Sequence, residues 1–76
     1  MKIYVAFYDY ENLDGDLNYG NTYAGHDLEL AKASLKDEEI MKRNEELIYS
    51  LKGGISKYIE EWESGQIVRF VLSERK

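Results

Sequence analysis

Apolar side chains alternate along two segments of the chain, one near each end, and the alternation predicts two β-strands. In residues 2–10, β-branched and aromatic residues fill both alternating sets, as in a strand that is covered on both faces. We therefore expect this strand to lie inside its sheet. Residues 66–73 show the same alternation, with Val68, Phe70 and Leu72 in one set.

A helical repeat predicts two helices in the middle of the chain. Residues 27–36 place apolar residues one turn apart, and Asp27 is suited to cap the first turn. A second helix is expected from about residue 37 to residue 51. Ser34 and Asp37 have the spacing of a capping box, which favours a new helix start at this point.

The segment after the second helix start is harder to assign. Residues 47–52 fit either the end of the helix or a strand, because periodicity cannot distinguish the two in a short apolar run. Residues 55–63 are interpreted as a third helix with apolar residues on one face and acidic residues opposite. Gly65 would end this helix in the left-handed conformation.

Residues 11–25 form the longest stretch without a regular repeat, with three glycines and three asparagines. Asp14 and Gly15 have turn chemistry, and they could close a hairpin that pairs residues near 8–13 with residues near 17–23. A loop of this length in a small domain is often functional.

These elements predict one α+β domain over residues 1–76. The expected sheet is small and of antiparallel type, with strands near 2–10 and 66–73 and a third strand left open. Two to three helices are expected on one face. Trp62, Phe70 and Phe7 are the expected anchors of the core.

Composition removes several sources of stability. The chain has 76 residues, no cysteine and one histidine. Disulfides, zinc–thiolate sites and multi-histidine sites are therefore excluded. A domain of this size buries only about 60% of its unfolded surface. Self-association, for example as a homodimer, is the remaining source of added stability.

Net charge bears on the choice of partner. The formal charge is −5, with 15 acidic and 10 basic residues. Direct contact with nucleic acid or with an anionic membrane is not expected, because both need clustered Lys and Arg. A basic protein is the favoured partner, although −5 is also a normal charge for a soluble small domain. No signal peptide or membrane span is recognised, so a cytoplasmic location is expected.

No pattern in the chain indicates catalysis or a cofactor. Residues 12–18 carry oxygen ligands at alternate positions, but they do not fit the register of a calcium-binding EF-hand loop. The serines lack a nucleophile-elbow motif, and Gly53-Gly54 lacks the Lys-Ser/Thr of a phosphate loop. We expect a non-enzymatic protein. The alternative is a small-ligand or metal-binding module that uses the 11–25 loop.

Acidic and tyrosine residues form the candidate partner-binding set. The acids cluster in residues 9–16 and 37–46, where they would attract a basic surface if they share one side. Ordinary solvated helix faces explain the same clusters equally well. Tyr19 and Tyr23 are expected to be exposed, where they favour contact, whereas Tyr4, Tyr8 and Tyr58 are expected in the core. The set is Asp14, Asp16, Tyr19, Tyr23, Asp37, Glu38, Glu39, Glu45 and Glu46.

The closing segment Tyr-Ile-Glu-Glu-Trp-Glu-Ser-Gly-Gln-Ile-Val, at residues 58–68, resembles segments of small bacteriophage-encoded proteins. The resemblance extends to size, acidity and lack of cysteine. It implies an acidic host-takeover protein that mimics DNA and inhibits a nucleic-acid-binding protein by occlusion, without catalysis. The charge of −5 is modest for a DNA mimic, and a dimer would double it.

Overall fold

The computed structural model describes residues 1–12, 14–43 and 54–75. Four strands and two helices lie in this part of the chain. In chain order they are β1 Lys2–Glu11, β2 Leu17–Gly25, α1 Leu28–Ser34, α2 Asp37–Arg43, β3 Ser56–Glu63 and β4 Gln66–Glu74.

The strands form one antiparallel sheet in the order β2-β1-β3-β4. The α+β class is therefore confirmed, and the sheet has two strands more than the two main ones expected. β1 lies inside the sheet, as its two apolar faces predicted, whereas β4 is an edge strand. Helix α1 packs against β1 and β2.

Residues 11–25 are not the irregular loop that the sequence suggested. Most of them belong to β2, which pairs with β1 from Tyr4↔Gly25 to Glu11↔Leu17. The predicted hairpin is confirmed. Its turn is closed by Asn12, whose Oδ1 accepts hydrogen bonds from the backbone N–H groups of Asp14 and Asp16, both at 2.9 Å.

The predicted helix over residues 55–63 is wrong, because this segment is strand β3. It pairs with β1 on one side and β4 on the other. Tyr58 and Trp62 lie on one face of this inner strand and Ile59 lies on the other. Apolar residues on both faces of a strand can reproduce helical spacing by chance, and the backbone pairing decides the outcome.

The Ser64-Gly65 pair turns the chain between β3 and β4 instead of ending a helix. Both residues have positive φ angles, 54° and 78° respectively. Two positive φ angles in a two-residue loop characterise the type I′ turn of tight hairpins. Glycine was correctly expected to be left-handed here, but in a different structure.

Helix α1 is shorter than the predicted 27–36, and α2 is described from Asp37 to Arg43. The Asp27 cap is confirmed, since its Oδ1 accepts from the N–H groups of Glu29 and Leu30 at 2.9 and 3.2 Å. The predicted new helix start is confirmed, since α2 begins at Asp37. The capping box itself is wrong, because Ser34 ends α1 and its Oγ donates to the Ala31 carbonyl at 2.6 Å. The predictions for residues 44–53, including the choice at 47–52, lie outside the described residues.

The core lies between the helices and one face of the sheet. Its buried members are Ala6, Tyr8, Tyr10, Ala31, Leu35, Ile40, Ile55 and Ile59. The expected anchors Phe7, Trp62 and Phe70 are not among them, because their register places them on the opposite face. Phe70 is 52% exposed.

Candidate functional site

The β1–β2 hairpin extends beyond the rest of the sheet. The last pair between β1 and β3 joins Asp9 to Ser56, whereas β1 and β2 remain paired to Glu11 and Leu17. Beyond that pair, the described part of the sheet is therefore a two-stranded ribbon closed by a turn. We call it the acidic hairpin end, and it comprises Asp9, Glu11, Asp14, Asp16, Leu17 and Tyr19.

Two exposed apolar side chains lie among these acids. Tyr19 is 69% exposed and Leu17 is 54% exposed. Tyr19 is paired with Asp9, and Leu17 with Glu11. Directly paired residues of antiparallel strands have neighbouring side chains on one face. Each apolar group therefore lies beside a carboxylate, and the predicted exposure of Tyr19 is confirmed.

No cation neutralises the acidic hairpin end within the part of the chain that the structure describes. Residues 9–19 contain no Lys or Arg. The ion pairs between described residues all involve other acids, namely Glu29, Asp37, Glu39 and Glu61. The four carboxylates thus add to a local negative potential instead of being paired off.

The second group of candidate acids has a different environment. Asp37, Glu38 and Glu39 form the first turn of α2, where negative charge is favourable. Asp37 is 2.7 Å from the Lys57 Nζ, and Glu39 is 3.3 Å from the Lys42 Nζ. No hydrogen bond or ion pair between described residues joins this turn to the acidic hairpin end. Glu45 and Glu46 lie outside the described residues.

Tyr23 has a structural role, and its predicted exposure is wrong. The ring is half-buried and packs against the core. Its hydroxyl accepts a hydrogen bond from the Asp27 backbone N–H at 3.1 Å. Tyr23 lies opposite Ala6 and so faces the helices, whereas Tyr19 faces the other way across a bulge in β2.

The hairpin turn is poorly arranged for holding a metal ion. The Asn12 side-chain oxygen is already used by two backbone N–H groups. Within residues 1–12, 14–43 and 54–75, no three His, Cys, Asp or Glu side chains form a group that could hold a metal ion. His26 makes a 2.7 Å contact through Nδ1 with the Lys2 carbonyl oxygen.

A second surface was missed by the sequence analysis. The sheet face opposite the core, here called the open face, carries Ile3, Val5, Phe7, Tyr58, Trp62, Ile67 and Phe70. No described helix covers it, since α1 and α2 contribute to the core on the other side. The signal was the apolar character of both alternating sets in β1, which implies two apolar faces.

Comparisons with known proteins found no match. No family model matches the chain, and neither the curated proteins nor the solved structures gave a match. Neither described helix has the length and apolar character that crossing a bilayer requires. The class that can be stated is a small α+β domain, so arguments about function depend on its two distinctive surfaces.

Proposed function

We propose that this chain is a non-enzymatic protein-binding module that contacts a basic partner through the acidic hairpin end. The observation that carries the proposal is the set of four carboxylates, unpaired among the described residues, around exposed Tyr19 and Leu17. The partner in this proposal is a nucleic-acid-binding protein that is inhibited by occlusion.

Charge and apolar contact have separate functions in this proposal. Unpaired carboxylates attract a basic surface from a distance and raise the association rate. Tyr19 then supplies a large contact area with few rotatable bonds, as tyrosines do in many protein interfaces. The turn carboxylates are held in place before binding, because Asn12 fixes the turn that carries Asp14 and Asp16.

The same features support DNA mimicry as the mode of inhibition. A surface that binds DNA presents clustered Lys and Arg to phosphates. Carboxylates on a projecting ribbon can reach into such a surface and occupy it. The acids of α2 and the pair Glu45 and Glu46 are proposed as a further part of the contact.

The test compares two variants with equal net charge. Immobilised wild-type protein captures partners from a bacterial lysate at low salt, and mass spectrometry identifies them. Affinity for the purified partner is then measured for D14N/D16N and for the control E29Q/E74Q, which removes two acids elsewhere. We expect D14N/D16N to weaken binding by about 2- to 30-fold, because each exposed charge pair contributes roughly 0.2–1 kcal/mol.

The proposal and its alternatives predict different binding results. The proposal predicts a partner that binds DNA, is released by salt and is displaced by competing DNA, with the control binding like wild type. Equal weakening in both variants would show that only net charge matters. Binding that is indifferent to salt and to D14N/D16N would refute the electrostatic mechanism.

A further inference from the structure

The open face presents several apolar side chains to solvent. Ile3, Ile67 and Phe70 are 41%, 46% and 52% exposed. Aromatic rings form its centre: Phe7 stacks on Tyr58 at 5.0 Å between centroids, and Phe70 meets Tyr58 edge-on at 6.4 Å. A contiguous patch of this kind marks an interaction surface more often than a solvated one.

The charges on the open face indicate what kind of partner it suits. Between Ile3 and Phe7 the pairing brings one acidic side chain, Glu60, onto this face. Its Oε1 accepts a hydrogen bond from the Trp62 Nε1–H at 3.3 Å. Asp9 and Glu11 lie on the same face further along β1, paired with Tyr19 and Leu17, and Asp14 and Asp16 follow in the turn. The patch therefore suits an equally apolar surface, not the basic partner proposed for the acidic hairpin end.

A second copy of the chain supplies such a surface. The four-stranded part of the open face spans the eight paired residues of β1 and β3 and four strands, so its plan area is about 500 Å², at roughly 3.4 Å per residue and 4.8 Å per strand. This is smaller than the roughly 800 Å² per partner of a standard interface, so we expect a weak dimer that depends on concentration. Small domains that lack disulfides and metals commonly gain stability by association. Two sheets packed face to face are a standard arrangement.

The two edge strands, β2 and β4, are poorer routes to association than the face. The pairing of β2 with β1 has a register shift between Ala6 and Phe7. The pairing of β4 with β3 has two register shifts, between Ile59 and Glu60 and between Glu61 and Trp62. Bulges of this kind twist an edge strand and discourage pairing with another chain. The geometry therefore favours contact through side chains of the open face over extension of the sheet.

We propose that two copies of this chain form a symmetric dimer by packing their open faces together. Asp14 and Asp16 lie in the turn, beyond the four-stranded part of the sheet, so the turn carboxylates of both copies stay available. Glu60 from each copy enters the interface and weakens it through its buried charge. The dimer does not depend on the function proposed above.

Three variants test this arrangement by sedimentation velocity over a wide concentration range. F70K places a charge on the open face, and L30K is its matched control, because Leu30 is 56% exposed on α1. We expect F70K to raise the dimer dissociation constant by about tenfold or more, since charging a central interface aromatic removes a hot spot twice per dimer. L30K should match wild type, and E60Q should tighten the dimer.

Two further measurements separate dimerisation from misfolding and from partner binding. Trp62 is the one tryptophan of the chain, so its emission should shift to shorter wavelength as wild type associates and should not shift in F70K. Circular dichroism checks that F70K is folded, and I67K replaces it if it is not. The dimer should tighten with added salt, because two copies of charge −5 repel, whereas binding of a basic partner should weaken.

A wild-type chain that stays monomeric at every concentration would overturn the proposal. So would a dimer that L30K disrupts as strongly as F70K, or one that E60Q weakens. If the chain stays monomeric and a different protein with an apolar surface binds the open face, that protein is the occupant and the dimer is refuted.

Discussion

Replacing Gly20 with alanine should destabilise the domain, because the Tyr8 ring occupies the space that a methyl group would need. Gly20 lies opposite Tyr8 in the β1–β2 pairing. A Cβ built at Gly20 overlaps the Cζ, Oη and Cε1 atoms of Tyr8. The ring has little room to move, since Tyr8 is 4% exposed and stacks on Tyr10 with centroids 6.1 Å apart.

Two opposing effects set the size of the loss. Overpacking a well-filled core costs about 1–3 kcal/mol, whereas replacing glycine inside a strand by alanine gains about 0.5–1 kcal/mol from reduced backbone entropy. The net loss for G20A is therefore between about 0 and 2.5 kcal/mol, with a central value of about 1.3 kcal/mol. At about 4–8 °C per kcal/mol for a domain of this size, the Tm should fall measurably.

Urea unfolding followed by circular dichroism and by Trp62 fluorescence measures this loss. The effect of G20A is also measured in a Y8L variant, because leucine removes most of the ring that the new methyl group would contact. In that background, G20A should be neutral or stabilising. An equal loss in both backgrounds, or a G20A variant as stable as wild type, would refute the claim that the Tyr8 ring fills the space over Gly20.

Two further predictions concern the stability of the folded domain. Asp27→Ala should cost about 1 kcal/mol in urea unfolding, because it removes the side-chain cap of α1, while Asp27→Ser should retain most of the stability; equal stability of the two variants would contradict the capping role. Arg69→Met should cost roughly 1–3 kcal/mol, because Glu61 is 3% exposed and Arg69 contacts it at 3.3 and 3.4 Å. Glu61→Gln in the Arg69→Met background should recover part of that loss, and a further loss instead would show that the pair is not what holds Glu61.

Strong local signals made part of the fold predictable from the sequence. The Asp27 cap is an interaction between neighbours in the chain, so its spacing alone identified the start of α1. The Asp14-Gly15 turn is equally local, and it correctly suggested the hairpin. The inner position of β1 followed from its two apolar faces.

The error at residues 55–63 has a physical explanation. Tyr58 and Trp62 are four residues apart, a spacing that places side chains together both on a helix and on one face of a strand. Ile59 belongs to the other face, but beside Tyr58 it completes an apparent helical stripe. Glu60 and Glu61 interrupt the alternation of apolar and polar residues that usually indicates a strand. Glu61 is nevertheless buried, because Lys2 and Arg69 from the neighbouring strands contact its carboxylate. Such contacts cannot be predicted from one segment of the sequence.

The candidate site was predictable only where it is local. Asp14, Asp16 and Tyr19 lie within one hairpin, so the turn and the strand register suffice to bring them together. The acids of α2 lie in a separate element, and the ion pair of Asp37 with Lys57 links residues that are 20 positions apart. Neutralisation of this kind depends on tertiary packing, which charge clustering along the sequence does not reveal.

The face of the sheet that packs against the helices determines which side chains are left exposed for binding. Ala6 and Ala31 are fully buried, and small residues at a contact let a helix approach the sheet closely. Phe7, Trp62 and Phe70 lie on the face that the described helices do not cover. An uncovered sheet face that carries these aromatic side chains is available for contact with another apolar surface. Salt should therefore act on this protein in two directions, strengthening contact through the apolar face and weakening contact through the acidic hairpin end.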